Sequence, residues 1–298
     1  MKKILLIIIL IMAIFQMGIF ATPWDVSTAT YADKYKNVAT QDTYPYGLAF
    51  SSDGTKMYIV GTSSDTVYQY TLSTTWDIST AEYANKSVYV GDEDTSPYGV
   101  TFSSDGDKMY FMGYGSDTVY QYTLSTGWDV STATYADKSK SVTAQESAPR
   151  GVTFSPNGTK MYIVGTSSDT VYQYTLSTAW DVSTATYANK YKSVTAQDTS
   201  PYGSAFNTDG TKMYIMGYGS DTVYQYTLST AWDVSTATYD DKYKSVTAQQ
   251  PYPRDVAFSP DGMKMYIVGD GSNNVYQYTL PEPPEPEEGN TIIFGMNF

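Results

Sequence analysis

The chain repeats one stretch five times with small variations, and its third copy reads Ser155-Pro-Asn-Gly-Thr-Lys-Met-Tyr-Ile-Val-Gly-Thr-Ser-Ser-Asp-Thr-Val-Tyr-Gln-Tyr-Thr-Leu176. The interval between copies is constant at 52 residues, as from Met57 to Met109. The tryptophans keep the same interval, at Trp24, Trp76, Trp128, Trp180 and Trp232. A fixed period of this length indicates one continuous repeat array, although the length of the chain alone would suggest one or two ordinary domains.

Each repeat divides into four strand candidates separated by turn residues. In the third copy the predicted strands are Arg150–Phe154, Lys160–Gly165, Thr170–Leu176 and a fourth around Tyr187–Ala196. The turn at 155–158 has proline second and glycine fourth, as in a type I turn. Four short antiparallel strands in such a period are typical of a propeller blade.

The two ends of the array predict how the ring closes. The unit Trp24–Gln41 supplies only a fourth strand, and the last unit, Pro253–Leu280, supplies only the first three. If Trp24–Gln41 pairs with Val275–Leu280, the result is an all-β, five-bladed β-propeller of four-stranded antiparallel blades with no open edge. The alternative is an open array or a swapped dimer, because near-identical repeats invite exchange.

Two copies of the first turn resemble a known repeat family. Phe154-Ser-Pro-Asn-Gly158 and Phe258-Ser-Pro-Asp-Gly262, with Asp169-Thr-Val171 further on, resemble the YVTN-type and WD40-type propeller repeats. The resemblance implies a propeller and leaves the function open. It departs from WD40 repeats because Tyr174 and Thr175 stand where the tryptophan-aspartate pair is expected. The YVTN group includes lactonase-like enzymes, but none of their motifs maps onto residues here.

The two ends of the chain differ from the array in composition. Residues 1–21 combine a short basic start with an apolar run and predict a signal peptide or an N-terminal membrane anchor. The propeller is expected over 22–280, followed by an acidic, proline-rich linker at 281–289 and a short apolar tail at 290–298. We therefore expect a secreted, periplasmic or cell-surface protein, with membrane contact only through an uncleaved N-terminal segment.

Charge and composition narrow the classes of function. The formal net charge is −13, and an acidic surface repels phosphate backbones, so nucleic acid is not an expected partner. There is no cysteine and no histidine, which excludes thiolate chemistry and removes the commonest general base. No nucleophile elbow of the G-x-S-x-G type occurs either, so the sequence disfavours an enzyme.

Comparison of the five copies shows where they differ most, in the loops before the first strand and between the second and third. One predicted ligand-binding ring consists of Tyr46, Tyr98, Arg150, Tyr202 and Arg254, with Tyr114 and Tyr218 in the neighbouring loops. Tyrosine rings stack on sugars while polar neighbours bind hydroxyl groups. The first hypothesis is therefore a lectin-like binding propeller for a glycan or protein ligand. The alternative is that these residues only shape the start of each first strand and bind no ligand.

A mostly acidic ring lies beside the tyrosines in sequence. It comprises Asp42, Asp94, Glu146 and Asp198, with Gln250 in the fifth copy. Carboxylates suit Ca²⁺, which takes about six to eight oxygen ligands, so these residues are candidate metal ligands, although solvated loop carboxylates explain them equally. No other cofactor is expected.

Two further functions remain open from the sequence. One is a structural or interaction scaffold, such as an adhesin or a virion-associated component. The other is an extracellular propeller hydrolase of carbohydrate or lactone, for which Asp94 and Glu146 are the best candidate carboxylates. Catalysis usually needs one asymmetric group of residues, whereas these blades are close copies of each other.

Overall fold

The computed structural model describes residues 23–281, which form twenty strands in five four-stranded antiparallel sheets. The strands are β1 (Thr30–Asn37), β2 (Pro45–Phe50), β3 (Lys56–Gly61), β4 (Thr66–Leu72), β5 (Ala81–Tyr89), β6 (Pro97–Phe102), β7 (Lys108–Gly113), β8 (Thr118–Leu124), β9 (Ala133–Ser141), β10 (Pro149–Phe154), β11 (Lys160–Gly165), β12 (Thr170–Leu176), β13 (Ala185–Ser193), β14 (Pro201–Phe206), β15 (Lys212–Gly217), β16 (Thr222–Leu228), β17 (Ala237–Ser245), β18 (Pro253–Phe258), β19 (Lys264–Gly269) and β20 (Asn274–Thr279). Each outermost strand follows a three-residue 3₁₀ turn, at Val26–Thr28, Ile78–Thr80, Val130–Thr132, Val182–Thr184 and Val234–Thr236.

The sheets are the five blades of a closed propeller. Blades 1 to 4 are β2–β5, β6–β9, β10–β13 and β14–β17, and the order β18-β19-β20-β1 makes blade 5. In blade 5 the N-terminal strand pairs antiparallel with β20, from Thr30 opposite Thr279 to Asn37 opposite Asn274. The structure thus confirms both the five-bladed fold and the predicted ring closure.

One predicted strand boundary was wrong. The fourth strand of the third copy spans Ala185–Ser193, so it begins and ends earlier than the predicted 187–196. The chain turns after Ser193 because the Val194 N–H donates to the Asp169 carbonyl and the Gln197 N–H donates to the Val194 carbonyl. The apolar Val194 therefore fills the interior behind a turn instead of continuing the strand.

The second strand of each blade forms the core between blades. In β11 the four residues Met161 to Val164 are all fully buried, because both faces of the sheet pack on neighbouring blades. Tyr162 also donates its hydroxyl to the Trp232 carbonyl of the next blade, at 2.9 Å. The same bond recurs at every blade boundary, which explains why tyrosine is retained at this buried position.

The tryptophans join the first turn of a blade to its outermost strand. Trp76 adopts a left-handed backbone (φ 60°), and its ring lies where a Cβ on Gly54 would be, only 2.1 Å away. The next residue, Asp77, caps the 3₁₀ turn. Its Oδ2 forms an ion pair with Nζ of Lys34 from the preceding blade, at 2.6 Å. Five such lysine–aspartate pairs connect the blades in a ring.

A conservative substitution tests the contribution of the tyrosine bonds. Tyr214→Phe removes the hydroxyl that donates to the Trp24 carbonyl at 2.7 Å. This bond joins blade 4 to blade 5, at what we call the closing boundary. We expect the free energy of unfolding to fall by about 1–2 kcal/mol, because the partly buried carbonyl loses its partner. Urea titration measures the change, and Tyr243→Phe, at a residue that is 57% exposed, serves as the control. Equal stability of the two variants would contradict the expectation.

The predicted signal segment and the apolar tail lie outside the described residues, as does nearly all of the predicted linker. Between residues 23 and 281, no helix has the length and apolar character needed to span a bilayer.

Candidate active site in the central channel

A channel runs along the propeller axis, enclosed by the innermost strands β2, β6, β10, β14 and β18, which pack against each other in turn. One end carries the loops that precede these strands, and we call it the mouth. The other end carries the turns from the first to the second strand of each blade, and we call it the turn side. The two ends differ in chemistry.

The structure brings the predicted tyrosine and arginine ring together at the mouth, with the two neighbouring loop tyrosines. Tyr46 and Tyr98 meet edge to face at 4.4 Å between ring centroids. The Arg150 guanidinium lies 4.9, 4.2 and 4.7 Å from the ring centroids of Tyr98, Tyr114 and Tyr202. Guanidinium groups thus occupy tyrosine faces that we expected a sugar to use, and each such contact is worth about 0.5–2 kcal/mol.

Arg254 is held in the mouth by a carboxylate as well as by aromatic rings. It lies 4.4, 4.7 and 4.2 Å from the rings of Tyr46, Tyr202 and Tyr218. Its Nε and Nη2 donate to the two oxygens of Asp270 at 3.1 and 2.8 Å. Burial lowers the pKa of Arg254, but the hydrogen bond to Asp270 and the nearby charges of Asp270, Tyr202 and Tyr46 together outweigh burial, so the net pKa is raised. This arginine is only 7% exposed, so its guanidinium is largely enclosed by the tyrosines and Asp270.

The acidic ring is a set of buried loop acceptors. Asp94 accepts hydrogen bonds from the backbone N–H groups of Ser96, Gly115 and Ser116 and from the Ser116 hydroxyl. The same pattern holds for the other three carboxylates, Asp42, Glu146 and Asp198. In the fifth copy Gln250 instead donates to the carbonyls of Gly269 and Asn274. These side chains connect the two loops of one blade.

This arrangement bears on the metal and catalytic predictions for the acidic ring. Over residues 23–281, no three acidic side chains form a group that could hold a metal ion. Asp94 and Glu146 are buried, at 6% and 0% exposure, and their oxygens already accept several donors. The calcium prediction gains no support from this geometry, and neither carboxylate is placed to act as a base on a substrate in the channel.

The turn side of the channel opens into a cavity of about 410 Å³. Its walls are mainly apolar, with Phe102, Phe154 and Val256 among the lining residues. Exposed Ser104 and Pro156 also belong to the lining, so the cavity communicates with solvent on this side. Its volume suits a small organic ligand.

Asp255 is the one acidic side chain that lines this cavity within the part of the chain the structure describes. The corresponding residue in the other blades is glycine, at Gly47, Gly99, Gly151 and Gly203. Its Oδ2 accepts from the Leu48 N–H at 3.0 Å and its Oδ1 from the Val256 N–H at 2.9 Å. Oδ1 also occupies space that only glycine leaves free, since a Cβ on Gly203 would lie 2.3 Å from it.

The environment of Asp255 favours its protonated form. Burial raises the pKa of the Asp255 carboxyl to about 7, although the hydrogen bonds from Leu48 and Val256 act in the opposite direction. The residue as a whole keeps partial exposure toward the channel. A carboxyl group that titrates near neutral pH in a cavity is a candidate general base.

Hydroxyl groups lie in the same cavity wall. Thr153 and Ser204 both line the cavity, and the Thr153 hydroxyl donates to the Ser204 carbonyl at 2.7 Å. The two hydroxyl oxygens are 3.0 Å apart. Because the Thr153 proton is used in the bond to the carbonyl, the Ser204 hydroxyl is the donor in the second bond, and the protons of both hydroxyl groups are engaged.

The sequence prediction missed Asp255 and Ser204. Both residues differ from their equivalents in the other copies, which the comparison of the five copies could have revealed. They lie one and two residues after the positions of the tyrosine and arginine ring. Position 255 is the only departure from glycine among the five copies, and position 204 has serine where the others have leucine or valine. Burial of these positions in the channel was not deducible from the loop comparison.

A comparison with protein families gives one match, to the family described as "Lactonase, 7-bladed beta-propeller", over residues 85–283. The match covers about two thirds of the chain. The chain belongs to this lactonase family. The family is described by seven blades, whereas this member has five because it contains five copies of the repeat. The match does not confirm the YVTN or WD40 resemblance, and no curated protein matches the chain.

Solved structures with a similar fold are distant from this lactonase-family chain. A functionally unknown protein from Desulfotomaculum acetoxidans has 14% identity and a TM-score of 0.47, covering 76% of this chain and 62% of its own. A candidate 6-phosphogluconolactonase from Bacteroides uniformis has 16% identity and a TM-score of 0.47, covering 74% and 59%. A protein from Lactobacillus plantarum has 18% identity and a TM-score of 0.48, covering 80% and 70%. The chain spans about three fifths of the length of the first two, and at these TM-scores the likeness adds nothing to the family match.

Proposed function

We propose that this chain hydrolyses a lactone or a related small cyclic ester in the turn-side cavity, with Asp255 as the general base. The observation that carries the proposal is Asp255, the one acidic side chain among the described residues that line that cavity, whose pKa is raised to about 7. Family membership supports the reaction class. Asp255 also supplies the asymmetry that the repeated blades otherwise lack.

The chemistry needs one water molecule and one base. As the water oxygen attacks the lactone carbonyl carbon, its proton passes to the ionised Asp255 carboxylate. The ring C–O bond then breaks, and the proton returns from Asp255 to the departing alkoxide, so that one water converts the lactone to a hydroxy acid. The Ser204 hydroxyl lies in the same cavity wall, and it would donate to the carbonyl oxygen only by giving up its bond to Thr153.

The cavity favours a compact, mostly apolar ester. Its lining combines aromatic and aliphatic side chains with a few hydroxyl groups and has no lysine or arginine among the described residues. Such walls would leave the charge of a phosphorylated substrate unpaired, which is costly away from water. We therefore propose an uncharged lactone rather than a sugar phosphate.

The pH dependence of turnover tests the assignment of a base. We expect kcat/KM for a hydrolysed lactone to rise as the pH increases through about 7 and to level off above it, because only ionised Asp255 accepts the proton. A panel of five- and six-membered lactones, followed with a pH indicator, identifies the substrate before the profile is measured. Absence of turnover across the panel, or a profile that is flat between pH 5 and 9 after correction for uncatalysed opening, would refute the proposal.

A second candidate function is the binding of a glycan or protein at the mouth. Two loop tyrosines beside the ring, Tyr44 and Tyr252, are 53% and 55% exposed, although the Tyr252 ring also packs on that of Tyr218 at 5.8 Å between centroids. Loss of binding to a glycan array in the Tyr44→Ala and Tyr252→Ala variants would support it, and the absence of any bound glycan would count against it. The extracellular location and the role as a structural or interaction scaffold also remain proposals.

A further inference from the structure

The two arginines of the mouth occupy equivalent positions in blades 3 and 5 but have different partners. In blade 5, Arg254 donates from Nε and Nη2 to the carboxylate of Asp270. In blade 3, the residue corresponding to Asp270 is Thr166, whose hydroxyl accepts from Arg150 Nε at 3.2 Å. Over residues 23–281, no carboxylate lies within salt-bridge distance of Arg150. The second half of its guanidinium fork is therefore without an anionic acceptor in this part of the chain.

The aromatic surroundings of the two arginines are nearly the same. Three tyrosine rings lie 4.2–4.9 Å from the Arg150 guanidinium and three lie 4.2–4.7 Å from that of Arg254. The rings restrict approach to the guanidinium, which leaves its edge for hydrogen bonding. The Asp270 carboxylate shows how an acceptor sits on that edge inside a tyrosine cage.

We propose that Arg150 binds the carboxylate group of a small ligand through the guanidinium N–H groups that Thr166 leaves without an acceptor. Threonine carries a hydroxyl and a methyl group where aspartate carries a carboxylate, and its hydroxyl accepts only from Nε, so the other guanidinium N–H groups of Arg150 are left to an acceptor from a ligand. A carboxylate matches the planar fork of arginine with two parallel hydrogen bonds.

The charge around the site selects a ligand with one negative charge. The acidic loop residues Asp94, Glu146 and Asp198 lie beneath the same face, and the chain carries a net charge of −13. A polyanion would meet this field over its whole length, whereas a single carboxylate meets mainly the arginine. The mouth residues form this site, whereas Asp255, the residue after Arg254 on β18, lines the turn-side cavity, and the site does not depend on the proposed hydrolysis.

Titration of the protein with simple probes tests the site. We expect saturable binding of acetate and of glucuronate, observed by NMR shifts or calorimetry, and no binding of glucose at the same concentrations. Inorganic phosphate is the competing anion. Phosphate binding tighter than that of both carboxylates would overturn the assignment, as would the absence of saturable carboxylate binding at millimolar concentration.

Thr166→Asp is the decisive variant, because it installs in blade 3 the carboxylate that blade 5 already has. It should fold, reproduce the ion pair of Arg254 and weaken carboxylate binding at least tenfold. Thr62→Asp adds the same charge at the corresponding position of blade 1, where the ring residue is Tyr46, and should change the affinity less than threefold. Arg150→Gln should also abolish binding. Affinity in Thr166→Asp equal to that of Thr62→Asp would overturn the proposal.

Discussion

Asp255→Asn is expected to lower kcat for lactone opening by about 100-fold or more, with a much smaller change in KM. The amide cannot accept a proton from water, and removal of a general base typically costs about 10²–10⁴-fold in rate. The side chain keeps its size, and the amide oxygen can still accept one of the two backbone hydrogen bonds that Asp255 receives. Steady-state kinetics at pH 8, where the wild-type carboxylate is ionised, measures the effect.

A matched variant separates catalysis from stability at this position. Asp255→Gly restores the residue that the other four copies have, so it should fold with the stability of an ordinary blade boundary. It should be as inactive as Asp255→Asn. Turnover within about tenfold of wild type in either folded variant would show that Asp255 is not the base.

Removal of the N-terminal strand has the largest expected effect on folding. A chain that begins at Asp42 lacks β1 and leaves β20 as an open edge in blade 5. It also loses three contacts across the closing boundary, from Tyr214, Lys242 and the Gln225 side chain. We expect a loss of more than about 5 kcal/mol, which is comparable to the whole stability of a typical domain.

Equilibrium unfolding and size-exclusion chromatography check this expectation. The shortened chain should either fail to show a cooperative transition or associate through its open edge, because an unpaired strand is a template for pairing. A chain that begins at Pro23 retains every described contact and is the control. A monomeric, cooperative transition with an unchanged midpoint in the shortened chain would contradict ring closure as the source of stability.

The repeat made the fold predictable from sequence. The constant interval defined the blades, and the offset between Trp24–Gln41 and Val275–Leu280 predicted how they close. The error in the fourth strand arose because Val194 looks like a strand residue and is in fact buried behind a turn. Local pattern cannot distinguish these two environments, since both select a β-branched apolar side chain.

The candidate site was only partly predictable. Comparison of loops placed the tyrosines and arginines in one ring, and the structure brings them together. The loop comparison could not show that the arginines cover the tyrosine faces. Nor could it show that the carboxylates of the acidic ring already accept hydrogen bonds from their own loops. Both depend on side-chain packing across blades. Asp255 was missed because its importance comes from the cavity at the turn side, which exists only once five strands surround the axis.

A crystal structure with a lactam analogue of the best lactone substrate tests the catalytic site most directly. We expect the ring in the turn-side cavity, with its carbonyl carbon facing Asp255 and with room for one water beside the carboxylate. The same structure determined with Asp255→Gly should retain the analogue in the same place. An analogue bound at the mouth beside Arg150, with the turn-side cavity empty, would contradict hydrolysis at Asp255.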